Sequence, residues 1–143
     1  EEDAVILKPA QAAGIDIIRL VTPTTHDARL AKVLNDASGY LYYVSITGVT
    51  GTKSFAEDDV KTALARIRKA TALPIAVGFG IRTPEQAAQI ARIADAAVVG
   101  SAIVNIVAEK QSAGRDAVVT SVSELCRALA DSIRAESGAK VGA

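Results

Sequence analysis

Two short segments have the composition of a phosphate-binding site. Val77-Gly78-Phe79-Gly80-Ile81 and Val98-Val99-Gly100-Ser101-Ala102 each close an apolar run, and each leads into a helical pattern. Glycine lets the backbone come close to a ligand. The free N–H groups at the start of the next helix, together with its dipole, favour a phosphate dianion. A tight turn would explain either segment alone, but the pairing of two such segments, both ahead of helices, favours binding. In a β/α barrel the last two strand-to-helix loops often hold such a site.

Other groups capable of chemistry are sparse. His26 follows two threonines at an expected helix start, where an exposed cap residue is a simpler account than an acid–base catalyst. Cys126 has no histidine at metal-ligand or catalytic spacing and reads as a small core side chain on the face of Leu125 and Leu129. Asp16 and Asp95 precede strands, whereas barrel chemistry uses the opposite strand ends, and Asp116 has no evident partner. No metal-ligating cluster stands out.

The elements that must position the glycine segments follow from periodicity. Strands are expected over residues 15–21, 40–46, 75–79 and 96–99, with helices over 27–36, 58–69 and 84–93 between them. Leu30-Val33-Leu34 and Val60-Leu64-Ile67 recur at the three-to-four spacing of a core-facing stripe. Strand runs such as Ile17-Ile18-Arg19-Leu20-Val21 lack the alternation of an exposed antiparallel sheet, so parallel strands with right-handed crossovers are expected. Punctuation agrees: Thr24 or Thr25 before Asp27, three acids at 57–59, and Thr83-Pro84-Glu85 with threonine as cap and proline at N1. Pro9 suits the first turn of a short helix ending at Gly14. A short helix is expected over 101–107, then a loop over 111–115, an amphipathic helix over 122–133 and a frayed tail over 137–143.

The 143 residues are enough for one domain, 1–143, with a core, and 50% hydrophobic residues with a mean hydropathy of +0.26 argue for a layered α/β interior. Sixteen basic and sixteen acidic residues cancel and aromatics are 3%, so nucleic acid is not an expected partner. One cysteine excludes an internal disulfide framework, no apolar run approaches a membrane span, and Glu1-Glu2-Asp3 is unlike a cationic leader. A cytoplasmic protein is expected.

Ser45-Ile46-Thr47-Gly48-Val49-Thr50-Gly51, then Gly78-Phe79-Gly80-Ile81 with Thr83-Pro84-Glu85-Gln86, then Gly100-Ser101-Ala102-Ile103-Val104 follow one another in a series that closely resembles the tryptophan synthase alpha chain. The resemblance covers about residues 1–110, including Pro23-Thr24-Thr25, and loosens in the C-terminal helix. It implies a (β/α)8 TIM barrel of which this chain carries about four C-terminal βα units, since a complete barrel needs about 200–250 residues. It also implies a carbon–carbon lyase of tryptophan biosynthesis, cleaving indole-3-glycerol phosphate to indole and glyceraldehyde 3-phosphate. A beta subunit with pyridoxal phosphate is the implied partner, in a complex of two alpha and two beta subunits, with no cofactor in the alpha subunit itself. The family's catalytic glutamate and aspartate lie on early strands and have no expected counterpart here, so the chain is not expected to turn over substrate alone.

By the same resemblance, Phe79, Gly80, Gly100 and Ser101 grip the substrate phosphate. Thr50 and Gly51 belong to a lid loop that closes the site, and Tyr42, Val44, Leu20 and Val98 line the indole slot. A non-catalytic phosphate-binding half-barrel module is the alternative. An isomerase barrel of histidine or tryptophan synthesis is a third reading, disfavoured by Thr47-Gly48-Val49-Thr50-Gly51. A half barrel would also expose strand edges and apolar faces, which invites self-association.

Overall fold

Along the second strand, Leu41 and Tyr43 are buried while Tyr42 and Val44 are only partly so, because successive side chains of a strand point to opposite faces. The third strand, by contrast, is buried at all four of its residues. In the computed structural model, which describes residues 3–45, 57–78 and 80–141, the chain runs α1 (Asp3–Ala12), β1 (Arg19–Val21), α2 (Asp27–Leu34), β2 (Leu41–Val44), α3 (Glu57–Arg68), β3 (Ile75–Gly78), α4 (Pro84–Ile93), β4 (Ala96–Val98), α5 (Ser101–Lys110) and α6 (Arg115–Val141), with a 3-10 turn at Gln111–Ala113. The strands form one sheet in the order β1-β2-β3-β4, all parallel, in a register that aligns Leu20 with Tyr42 and joins Val44, Gly78 and Val98 in one row.

One face of this sheet is covered. Val21, Leu41, Tyr43, Ile75 and Val77 pack with Leu30 of α2, Val60, Leu64 and Ile67 of α3, Ala87 and Ile90 of α4, and Leu129 of α6. Full burial of a side chain such as Leu64 contributes about 1.5–3 kcal/mol. α6 lies along α4, where Ser132 Oγ donates to the Pro84 carbonyl at 2.7 Å and Arg92 clasps Glu136 through two bonds of 2.9 and 2.7 Å.

The ends of the elements differ from expectation for local reasons. β1 is only Arg19–Val21: ahead of it Ile15 N bonds Ala10 O and Gly14 N bonds Gln11 O, the paired bonds of a Schellman ending for α1. Ile17 meets a side chain there, its amide donating to Ser38 Oγ at 3.0 Å. Pro9 sits inside α1, not in its first turn. The cap of α2 is His26, whose Nδ1 accepts from Arg29 N at 3.3 Å; Thr25 is buried and its Oγ1 accepts from Thr22 N. The helix expected from residue 122 begins at Arg115, where Gly114 ends the 3-10 turn, and it continues to Val141, past the point where a frayed tail was expected. Ile46 and Phe79, expected at strand ends, lie outside the described residues.

Two caps give measurable expectations. Thr83 forms a complete capping box with Gln86, and its side chain holds the Glu85 carboxyl below the ordinary glutamate range. Thr83→Ala is expected to cost about 1 kcal/mol in urea unfolding, and Glu85 should titrate closer to its ordinary value in the variant. Asp95, at the start of β4, accepts through Oδ2 from Ile75 N at 2.8 Å and from Arg68 at 2.9 Å. Asp95→Ala leaves the amide of fully buried Ile75 without that acceptor and is expected to cost about 1–3 kcal/mol. Arg68→Ala breaks only a half-exposed ion pair and should cost under about 1 kcal/mol. Equal losses in the two variants, measured with unchanged m-values, would contradict this account.

Candidate functional site

The residues beyond β3 and β4 are brought together by the register. Gly78 and Val98 are direct neighbours at the C-terminal ends of β3 and β4, and Gly80 and Gly100 each follow two residues further along the chain. Gly80 is exposed with φ of +80°, a conformation that L side chains rarely adopt. Gly100 is the cap residue of α5, and no side chain caps that helix. Ile103 N and Val104 N bond the Gly100 carbonyl at 3.0 and 3.2 Å. The amides of Ser101 and Ala102, at the first two helical positions, have no acceptor within the helix.

The two helix starts at this edge are therefore not equivalent. α4 satisfies its own first turn through Thr83 and Gln86, whereas α5 offers backbone donors, the positive end of its dipole and the exposed Ser101 hydroxyl. An anion placed there would meet α5 end-on. Phe79, and the lid residues Thr50 and Gly51, fall outside the described residues.

Leu20, Tyr42, Val44 and Val98 share the sheet face opposite the one that packs with α2, α3, α4 and α6. Leu20 and Tyr42 are paired in one row, and Val44 and Val98 lie one row nearer the C-terminal edge, separated by Gly78. On that face Leu20 is 59% exposed at the edge, whereas Ala76, beside Tyr42, is buried. Gly78, within the strand expected over 75–79, is the last residue of β3. A β-carbon built on it would lie 2.6 Å from Tyr42 Cε2 and 2.8 Å from Cζ, and closer still to the hydroxyl. The tyrosine ring thus lies across Gly78, directed at the edge where Gly80 and Gly100 emerge. A glycine inside an otherwise buried strand was the available signal, since such glycines often mark a close approach.

The remaining candidates resolve simply. Asp95 is engaged with Ile75 and Arg68 at the N-terminal end of its strand. Cys126 is exposed, not a core side chain, because it is one helical step of about 100° away from Leu125. No group of three or more His, Cys, Asp or Glu able to hold a metal ion occurs among the described residues, and no helix among them is long and apolar enough to cross a membrane.

Four parallel strands, each followed by a helix, with helices packed on one face of the sheet, define half of a (β/α)8 barrel. The family model for the tryptophan synthase alpha chain matches residues 1–134, so the match runs well into α6 and beyond the 110 residues of clear resemblance. The chain belongs to the tryptophan synthase alpha chain family. Among solved structures, it is similar to tryptophan synthase subunit alpha from Legionella pneumophila, at 33% identity and a TM-score of 0.77 over 93% of this chain and 48% of that one. It is similar to Mycobacterium tuberculosis tryptophan synthase at 32% identity and a TM-score of 0.76 over 93% and 48%. For the alpha subunit from Campylobacter jejuni the values are 32% identity and 0.73 over 87% and 49%. The chain thus spans about half the length of the structures it matches.

Proposed function

We propose that this chain is the phosphate-gripping half of a tryptophan synthase alpha subunit, an enzyme of tryptophan biosynthesis that cleaves indole-3-glycerol phosphate to indole and glyceraldehyde 3-phosphate. The observation that carries the reading is the start of α5, which no side chain caps, in a chain whose family match extends over residues 1–134.

In the retro-aldol step, a base removes the proton of the glycerol hydroxyl next to the ring, and that carbon becomes the aldehyde. The bond to indole C3 breaks, and an acid protonates C3 as its electron pair returns to the ring. The groups in this chain do other work. The amides of Ser101 and Ala102, the Ser101 hydroxyl and the backbone at Phe79 and Gly80 hold the phosphate. Leu20, Tyr42, Val44 and Val98 form one wall of the slot for the flat indole ring and exclude water from it. Thr50 and Gly51 belong to the loop that closes over the substrate.

In this reading the catalytic carboxylates come from βα units ahead of these four, no cofactor is held here, and pyridoxal phosphate resides in a beta subunit that takes up the indole. The cytoplasm is the expected compartment. Titration of the 143-residue chain with indole-3-glycerol phosphate by calorimetry or NMR tests it. Saturable binding with shifts at Gly80, Gly100 and Ser101 is expected, and no binding at millimolar ligand would overturn it. Release of indole once the family's first four βα units are added to the chain is expected, and its absence would favour the alternative of a phosphate-binding module.

A further inference from the structure

Among the described residues, the buried polar side chains are Thr25 and Ser45, and Ser45 is 1% exposed. Thr25 serves its own loop, where its hydroxyl accepts from Thr22 N. Ser45 reaches another strand: its Oγ donates to the Gly78 carbonyl at 3.0 Å, and its own amide donates to the same carbonyl at 3.1 Å. One residue thus holds one carbonyl twice, where β2 and β3 both end. These are the two inner strands of the sheet, each paired on both sides, so the contact does not depend on what lies beyond β1 or β4.

The hydroxyl is not needed to satisfy the carbonyl, which already has a backbone donor. What the second bond adds is direction. Gly78 has no side chain to resist rotation of the peptide that follows it, and a peptide unit turns as one plane. Gly80 stands only two residues further on, with φ of +80°. With a single anchor, the chain would be free to leave β3 toward that turn in more than one direction. We propose that Ser45 is a positioning residue for phosphate binding: its hydroxyl fixes the peptide at which β3 gives way to the turn at Gly80. The inference rests on the functional reading above. A side chain that contacts no substrate acts here by holding the backbone that does, as a supporting shell holds a binding site.

Ser45→Ala, followed by NMR and urea unfolding and titrated with indole-3-glycerol phosphate, tests this. Because the Gly78 carbonyl keeps the residue-45 amide as a donor, the urea midpoint should stay close to that of the wild type. The Gly80 amide resonance of the free protein should shift or broaden, and affinity should fall about three- to tenfold, the worth of one net hydrogen bond. Ser45→Thr keeps the hydroxyl, and the cavity that Ser45 borders with Tyr43, Thr62 and Arg66 leaves room for the added methyl, so this variant should restore affinity. Asp95→Ala, at the opposite end of the sheet, should lose more stability than Ser45→Ala and yet bind as the wild type does. An unmoved Gly80 resonance in Ser45→Ala overturns the proposal, as does an affinity loss that Ser45→Thr fails to restore or that Asp95→Ala shares. Wild-type binding that Ser45→Ala matches overturns this proposal alone, whereas a wild-type chain that does not bind overturns the functional reading and this proposal with it.

Discussion

Gly78→Val is expected to destabilise the chain by about 1–3 kcal/mol, as overpacking of a filled site generally does, and to lose most of that penalty when Tyr42 is also replaced by alanine. The reason is steric. A β-carbon at position 78 falls within 2.6–2.8 Å of Tyr42 ring atoms, so either the ring leaves its berth or the β2–β3 pairing yields. Backbone strain is not the cause, since Gly78 lies within a regular parallel ladder opposite Val44 and Val98. Tyr42→Ala alone should cost little more than the contacts of a half-buried ring, because the ring faces the uncovered side of the sheet. A double-mutant cycle in urea should therefore give a coupling of about 1–3 kcal/mol between two residues 36 positions apart in sequence, which is large for a pair with no hydrogen bond between them. Additive losses would show that the ring and the glycine do not share one space. The effect also reaches the candidate site: a ring displaced from Gly78 no longer points at the edge where Gly80 and Gly100 emerge, so the single variant should bind indole-3-glycerol phosphate more weakly than the double variant's fold recovery alone would suggest.

The alternation of apolar runs with three-to-four stripes made the order of strands and helices legible, since Val60-Leu64-Ile67 and the β-rich runs over 40–46 and 75–79 admit few other folds. Thr83-Pro84 marked the start of α4 to the residue because a capping box and a proline at N1 act within one turn. The failures have a common physical origin in contacts between distant residues. Residues 15–18 look like strand, yet their neighbours are Ser38 and the end of α1, and only tertiary placement decides that. Thr25 does not cap α2 because it is buried and its hydroxyl accepts from Thr22 N; His26, read as an exposed cap residue, holds that place. Gly78 was visible as a glycine but not as the berth of Tyr42, which depends on register between two strands. Among the candidate site residues, Gly80 and Gly100 stood out because each follows a strand, while the difference between a self-capped α4 and an uncapped α5 is a matter of geometry that residue types alone leave open.

That difference sets the second large effect. Gly80→Leu should weaken binding of indole-3-glycerol phosphate at least about tenfold, equivalent to about 1.4 kcal/mol, for two reasons that separate experimentally. Leucine at φ of +80° carries a penalty of about 1–2 kcal/mol and pushes the turn toward negative φ, and its side chain occupies the space through which the phosphate approaches the backbone. Gly80→Asn keeps the left-handed conformation, which asparagine tolerates, and so isolates the second cause; it should bind between the wild type and the leucine variant. Ser101→Ala removes one hydroxyl donor from α5 but leaves the amides and the dipole, and a hydrogen bond to a charged group is worth about 1.5–3 kcal/mol. Its loss should weaken the phosphate without altering stability, because Ser101 is exposed and caps nothing. The ordering follows from which donors each change removes: backbone and access at Gly80, one hydroxyl at Ser101. Thr83→Ala, at the neighbouring self-capped helix, should change stability and leave phosphate affinity where it is. If instead Thr83→Ala weakened binding and Gly80→Leu and Ser101→Ala did not, the anion would sit at α4, and the assignment of the cradle to the start of α5 would fall.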